Sequence, residues 1–181
     1  MEHYIGIDLG TSSVKLLLMD RTGAVLHSVS RSYPLSFPQS GWSEQQPEDW
    51  YRETVIGLQE LTAGTDRGQI RGISFGGQMH GLVILDEAGR VIRPAILWND
   101  GRTQKETDYL NHVIGEEKLA AYTSNIAFAG FTAPKLLWLY QNERENFGQD
   151  PEDHASEGLS GVSVIRCFQH RLFRRVGHAS V

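Results

Sequence analysis

The chain has 181 residues, of which 40% are hydrophobic and 22% charged, with a formal net charge of −5. That composition suits a folded domain rather than a disordered chain, and its acidic balance argues against a broad nucleic-acid-binding surface. No apolar run approaches the roughly 20 residues of a membrane span, and the start, Met-Glu-His-Tyr, lacks a basic-then-apolar signal. The one cysteine, Cys167, excludes an intrachain disulfide framework and a multi-cysteine zinc site. The expectation is a cytoplasmic protein with no membrane or nucleic-acid partner.

The N-terminal third predicts three strands in an antiparallel meander: Tyr4 to Gly10, Val14 to Asp20, and Ala24 to Tyr33 after a turn at Thr22-Gly23. Pro34 to Gln46 reads as a loop. Pro47 suits the first turn of a helix, with Glu48 and Asp49 complementing the helix N-terminus. That helix is expected to reach about Thr62, with Trp50, Val55 and Leu58 on its apolar side. Ile70 to Gly77 reads as a buried strand, Leu82 to Asp86 as another, and Val91 to Trp98 as extended beyond a turn at Glu87-Ala88-Gly89. Helices are predicted over 103–114, 116–122 and 133–145. Strands, helix, strands and helices in that order make an α/β layout.

Three strings carry residues suited to chemistry. Asp8-Leu9-Gly10-Thr11-Ser12-Ser13-Val14-Lys15 lies at a strand–turn–strand corner. Gly10, Thr11 and Ser12 are small enough for an anion to approach backbone N–H groups, and two of them add hydroxyls. Asp8 at the strand end could hold Mg²⁺, because hard cations take carboxylate oxygens. Lys15 either points toward phosphates or caps the strand. The plain alternative is a hairpin with no ligand.

Gly76-Gly77-Gln78-Met79-His80-Gly81 joins two predicted strands. Its glycines allow the backbone to fold closely on a small polar ligand, and Gln78 and His80 offer donors and acceptors to hydroxyls. No second His or Cys stands at ligand spacing, which weakens a metal role for His80. A glycine-rich turn with a satisfied histidine is the competing reading. In Trp98-Asn99-Asp100-Gly101-Arg102, Trp98 could wall a sugar's carbons and Asp100 could accept from hydroxyls. Asp100 also suits a helix N-cap, with Arg102 as an ion-pair partner, and Trp98 suits plain core packing. For Trp42 and Trp50, core packing is the expected role.

These strings, with Gly41-Trp42-Ser43-Glu44-Gln45, resemble the N-terminal domain of FGGY-family carbohydrate kinases over residues 3–148. Within the family, the Gln-Met-His-Gly string is most similar to the xylulokinases, whereas glycerol kinases differ there. The resemblance implies a ribonuclease-H-like (actin-like ATPase) α/β fold and transfer of the ATP γ-phosphoryl group to the 5-hydroxyl of D-xylulose. It places Asp8, Gly10, Thr11, Ser12 and Lys15 at the phosphates and Mg²⁺. Gln78, Met79, His80, Trp98 and Asp100 fall at the sugar. It also implies a catalytic aspartate and an adenosine pocket in a region with no counterpart in this chain. The full-length enzyme could be a homodimer, and the present chain is expected to be an inactive, incomplete kinase domain. The alternatives are an FGGY kinase for ribulose or gluconate, or a non-catalytic sugar- or phosphate-binding module.

Residues 149–181 change character. They hold three of the seven histidines and the single cysteine, but no lysine or tryptophan. Acids come early (Asp150, Glu152, Asp153, Glu157) and arginines late (Arg166, Arg171, Arg174, Arg175). The apolar residues, among them Val162, Ile165, Phe168 and Leu172, keep no helical or strand period. Codons permitted for Gln149 to Ser160, read from their second base, allow Lys-Ile-Arg-Lys-Ile-Met-Leu-Pro-Lys-Asp-Tyr. Those for His170 to Val181 allow Thr-Asp-Phe-Ser-Asp-Ala-Ser-Gly-Thr-Leu-Leu. Both resemble FGGY-kinase strings expected downstream. A one-base frame change near codon 149 is therefore expected, giving an unrelated and poorly ordered tail; a variable surface extension is the alternative.

Overall fold

A computed structural model of the protein describes residues 2–86, 88–147 and the pair 162–163. In chain order the strands are β1 (His3–Leu9), β2 (Ser13–Asp20), β3 (Val25–Ser32), β4 (Glu44–Gln45), β5 (Ile70–Gly77), β6 (Leu82–Val83), β7 (Ala95–Ile96) and β8 (Val162–Ser163). The helices are α1 (Pro47–Leu61), α2 (Gln104–Asp108), α3 (Glu116–Thr123) and α4 (Thr132–Asn142). Among the described residues they fall into two compact units: one built from the chain up to Leu35 with Gln46–Gln78, the other from Ser36–Gln45 with 79–147 and 162–163.

The first unit is a four-stranded sheet in the order β3-β2-β1-β5. The meander predicted from the sequence is present, β1 with β2 and β2 with β3 antiparallel, and β5 adds parallel to β1. Period-2 alternation sends Ile5, Ile7 and Leu9 to one face, in register with Leu18, Leu16 and Val14, and all six are buried. Helix α1 covers this face, with Pro47 opening it and Trp50, Thr54, Gly57 and Leu61 buried. The stripe therefore runs through 50, 54, 57 and 61; Val55 and Leu58 only flank it. Small residues are needed along the stripe because the helix lies close to the sheet. A Cβ at Gly57 would stand 2.6 Å from Leu16 Cδ1. Ion pairs from Arg31 on β3 to Glu53 and Glu60 join sheet and helix.

The expectation of a buried strand over Ile70 to Gly77 needs correction. Among the described residues β5 pairs only with β1, and none of its residues is buried; Ile73 is 42% exposed. Its apolar residues suit a covered strand, but among the described residues it stands at the edge of the sheet.

The second unit has a small antiparallel sheet ordered β4-β7-β6-β8, packed by α4. Its core joins Leu82, Ile84, Ile96, Trp138 and Leu139, with Trp42 and Leu136 alongside. The predicted strands 82–86 and 91–98 shrink to two residues each. Pro94 brings no N–H to a ladder immediately before β7, and the chain reverses tightly where Asp86 accepts from the N–H groups of Gly89 and Arg90. The helix expected over 103–114 gives way to a wide π turn at Tyr109–Gly115. Gly115, at φ 98°, then separates it from α3. The helix expected over 133–145 ends at Asn142 and continues as a 3₁₀ turn at Arg144–Phe147. Val162–Ser163 pairs with β6; the rest of the tail over which disorder was expected lies outside the described residues.

Candidate functional site

In the first unit, β1 ends at Asp8 and Leu9, and the chain turns through Gly10, Thr11 and Ser12 into β2. Asp8 is exposed, and in register it stands opposite Lys15 on β2 and Gly76 on β5. Carboxylate and ammonium thus share one face of the sheet, opposite the face α1 covers. The turn is tight: Gly10 N–H donates to Ser13 O at 3.0 Å, and a Cβ on Gly10 would meet that oxygen at 3.0 Å.

Two residues brace the turn. Tyr33, buried at the end of β3, donates its hydroxyl to Gly10 O, while its N–H donates to Ser12 O at 3.2 Å. Burial, reinforced by the Asp8 carboxylate, pushes the phenol well above the usual tyrosine range, so it stays a donor. Gln78 N–H donates to Leu9 O at 2.8 Å, and its Oε1 accepts from Thr11 Oγ1 at 3.2 Å. Its Nε2 is buried with no partner among the described residues. Gln78 therefore stands beside the Asp8–Ser12 turn.

No group of three His, Cys, Asp or Glu residues capable of caging a metal occurs among the described residues. A lone exposed carboxylate beside a small-residue turn does fit Mg²⁺, which keeps several waters and draws its other oxygens from substrate phosphates.

In the second unit, a cavity of about 240 Å³ is lined by His80, Trp98, Phe128, Gly130 and Phe131. That is below the roughly 300–1,000 Å³ of pockets for drug-sized ligands, which points to a smaller occupant. Two motif residues, His80 and Trp98, meet here. The His80 ring stacks on Phe131, centroids 4.1 Å apart and planes at 12°, and Phe131 in turn lies 5.0 Å from Phe128. His80 has φ 60°, a left-handed conformation that costs a residue with a Cβ. Gly130 packs so closely on the Trp98 backbone that a Cβ would lie 2.1 Å from Trp98 O. Trp98 is about half exposed; Met79, 68% exposed, does not line the cavity.

Beneath these residues, Lys135 of α4 is completely buried. Its Nζ donates to His80 O at 2.7 Å and to Gly130 O at 2.8 Å. Burial pulls its pKa down to about 8; Asp100 raises it and Arg102 lowers it further, both by smaller amounts.

Asp100 faces inward. Its carboxylate accepts from Ser43 N–H at 2.6 Å, from Arg102 N–H at 2.9 Å and from the Arg102 guanidinium at 2.8–2.9 Å. The Arg102 guanidinium also pairs with Glu44 at 2.7 Å and lies over Trp42 at 3.7 Å and Trp138 at 4.9 Å. Arg93 bridges Glu44 to Glu143. Gly101 N–H to Gly41 O and Leu97 N–H to Ser43 O complete the junction. The Gly41–Gln45 string thus holds the Trp98–Arg102 string in place. The ion pair of Asp100 with Arg102 is as the sequence led us to expect, whereas α2 begins without a side-chain cap.

Tyr33, Phe128, Gly130, Phe131 and Lys135 were not singled out from the sequence. Lys135 left a trace there: it shares a helical stripe with Trp138 and Leu139, where a lysine needs an internal partner.

A family model described as the FGGY family of carbohydrate kinases, N-terminal domain, matches residues 3–150. A xylulose kinase of Staphylococcus xylosus is 45% identical over 89% of this chain and 34% of its own length. One of Bacillus subtilis is 42% identical over 90% of this chain and 34% of its own. Among solved structures, a Brucella ovis enzyme described as a xyloylose kinase superposes with TM-score 0.74 at 41% identity, covering 80% of this chain and 30% of that one. A Lactobacillus acidophilus gluconate kinase gives the same TM-score at 28% identity, over 80% of this chain and 29% of that one. The chain spans about a third of the length of the curated relatives it matches.

Proposed function

The chain belongs to the FGGY family of carbohydrate kinases and carries their actin-like ATPase fold, and from that premise we propose that it forms the sugar-binding and phosphate-facing part of an enzyme that phosphorylates D-xylulose on its 5-hydroxyl. The observation that carries this reading is the small cavity where His80 and Trp98, from two separate motif strings, meet Phe128 and Phe131. Aromatic faces suit the C–H surfaces of a sugar, and an imidazole can donate to or accept from a hydroxyl. Met79, exposed and next to His80 in the chain, would contact the same substrate. Asp100 contributes by fixing the loop that carries Trp98. The 42–45% identity to xylulose kinases favours this ketose over ribulose or gluconate.

On this reading the Asp8–Ser12 turn and Lys15 would meet the ATP phosphates, and Asp8 would hold Mg²⁺. The bound ion would offset charge on the transferring phosphoryl group. The chain's own residues do the positioning: Gly10 lets an anion come close, Thr11 and Ser12 add hydroxyls, and Tyr33 and Gln78 brace the turn. Phosphoryl transfer depends on such placement. Turnover would need parts of the enzyme beyond these residues, so this chain alone should bind sugar without phosphorylating it. We also assign residues 149–181 to a frame change, on the strength of the two shifted-frame strings.

Titration calorimetry of the chain with D-xylulose, D-ribulose and D-gluconate tests the substrate. D-Xylulose should bind best, and His80→Ala should weaken it by about 0.5–1.5 kcal/mol, the worth of one hydrogen bond. Stronger binding of D-gluconate would overturn the assignment in favour of a gluconate kinase, and turnover with ATP and Mg²⁺ at an intact kinase's rate would overturn the division of labour. The gene sequence through codon 149 decides the origin of the tail.

A further inference from the structure

We infer that Lys135 is a positioning residue for the sugar pocket: its buried ammonium ties together the two backbone segments that shape the cavity and holds His80 in its left-handed conformation. The inference rests on the proposal that this cavity takes the sugar.

The geometry is specific. One Nζ reaches His80 O at 2.7 Å and Gly130 O at 2.8 Å, from a residue with no exposed surface. The first carbonyl belongs to the residue at φ 60° whose ring forms part of the cavity wall. The second belongs to the glycine pressed against the Trp98 backbone. Each segment contributes an aromatic wall, the His80 ring from one and Phe131, immediately after Gly130, from the other, and Gly130 in turn packs against the Trp98 backbone. An ammonium has three donors and no acceptor, so it can serve two carbonyls at once, which an apolar side chain cannot.

A lysine is also a costly way to fill such a site. Burying a cation is unfavourable, and its lowered pKa records that cost. Helix α4 already carries Leu136, Leu137 and Trp138, so apolar packing alone would be served by another such residue. A methionine would fill the volume but leave both carbonyls without their donor. Released from that bond, His80 is free to relax from φ 60° toward the broadly allowed regions, which would swing its ring off Phe131.

The test uses the 181-residue chain and two readouts. The first is the His80 ring signal in ¹H–¹³C spectra, assigned by comparison with His80→Ala; stacking on Phe131 should shift it upfield by ring current. The second is the D-xylulose dissociation constant. In Lys135→Met the His80 signal should move toward its free position and sugar affinity should fall roughly ten-fold. Methyl signals of Leu16 and Val29 in the first unit should stay unchanged. Lys135→Arg, which keeps a cationic donor, should restore part of both effects. Should Lys135→Met fail to fold, Lys135→Arg decides alone, with a partial shift of the His80 signal and a smaller loss of affinity expected. An unmoved His80 signal in the folded variant overturns the inference. If the wild-type chain binds no D-xylulose, the substrate reading fails, while the His80 signal still decides what Lys135 does.

Discussion

Gly130→Ala is the sharpest probe of the cavity's construction. The added Cβ would lie 2.1 Å from Trp98 O and 3.3 Å from Trp98 C, where contacts under 3.0 Å are essentially never seen. The obstacle is backbone, so no rotamer change relieves it. Something must move by roughly 1 Å, and forcing atoms into a well-packed region costs about 1–3 kcal/mol or more. The options are few: Trp98 is fixed through Leu97 N–H to Ser43 O and through the junction around Asp100, and Gly130 O is held by Lys135. Gly72→Ala is the matched control, because its Cβ would meet Tyr4 at an ordinary 3.6 Å. Urea denaturation of both variants, with D-xylulose binding measured in parallel, gives the comparison. Gly130→Ala should lose at least about 1 kcal/mol more than Gly72→Ala and should weaken the sugar. Equal stability of the two variants would mean that the close approach of Gly130 to Trp98 is not a constraint, and the account of the cavity would fall with it.

Arg102→Met should cost about 3–5 kcal/mol in urea denaturation, because it leaves the buried Asp100 carboxylate without its guanidinium; a loss below about 1 kcal/mol would refute that role. Tyr33→Phe should lower stability by about 0.5–1.5 kcal/mol and weaken binding of ATP with Mg²⁺ while leaving D-xylulose affinity unchanged, a pattern calorimetry can check. Lys135 has a folded pKa of about 8 against its ordinary 10.5, so between those pH values the unfolded chain binds more protons and this residue's contribution to stability rises with pH. The stability of the wild type relative to Lys135→Met should therefore increase from pH 8 to 10.5, with a slope of at most about 1.4 kcal/mol per pH unit, and a flat difference would contradict the shift.

The first three strands were legible because β-branched and apolar runs are bounded by glycine turns; burial alternates with a period of two along β1 and β2, whereas most of β3 is exposed. Helix α1 was legible at its start, from Pro47, but its buried stripe was misplaced. Thr54 and Gly57 lie on that stripe because close approach to Leu16 demands small side chains there, and hydrophobicity alone points instead to Val55 and Leu58. Strand β5 was legible as a strand but not as one that, among the described residues, pairs on one side only, since apolar residues do not say whether a neighbour stands on both sides. In the second unit, strand lengths were overestimated because isolated bridges such as Leu85 with Val91 mimic strands locally without forming a ladder.

The site divides along a similar line. Of the residues lining the cavity, His80 and Trp98 fall within recognisable strings, whereas Phe128 and Phe131 and the residues that hold the strings in place are scattered. Tyr33 reaches Gly10 across 23 positions and Lys135 reaches His80 across 55, and neither spacing carries a local period that a sequence reading can detect. The Gly41–Gln45 string shows the converse. The sequence pointed to packing for Trp42, and in the structure Trp42 stacks on Arg102, Ser43 N–H donates to Asp100 and Glu44 pairs with Arg102. They are recognisable because they fit another string. Asp100 makes the same point inside the Trp98–Arg102 string: a carboxylate accepting from Ser43 and Arg102 orients the loop, and through it the Trp98 wall. Perturbing Asp100 should therefore disturb stability and sugar binding together, whereas perturbing His80 should act mainly on the sugar.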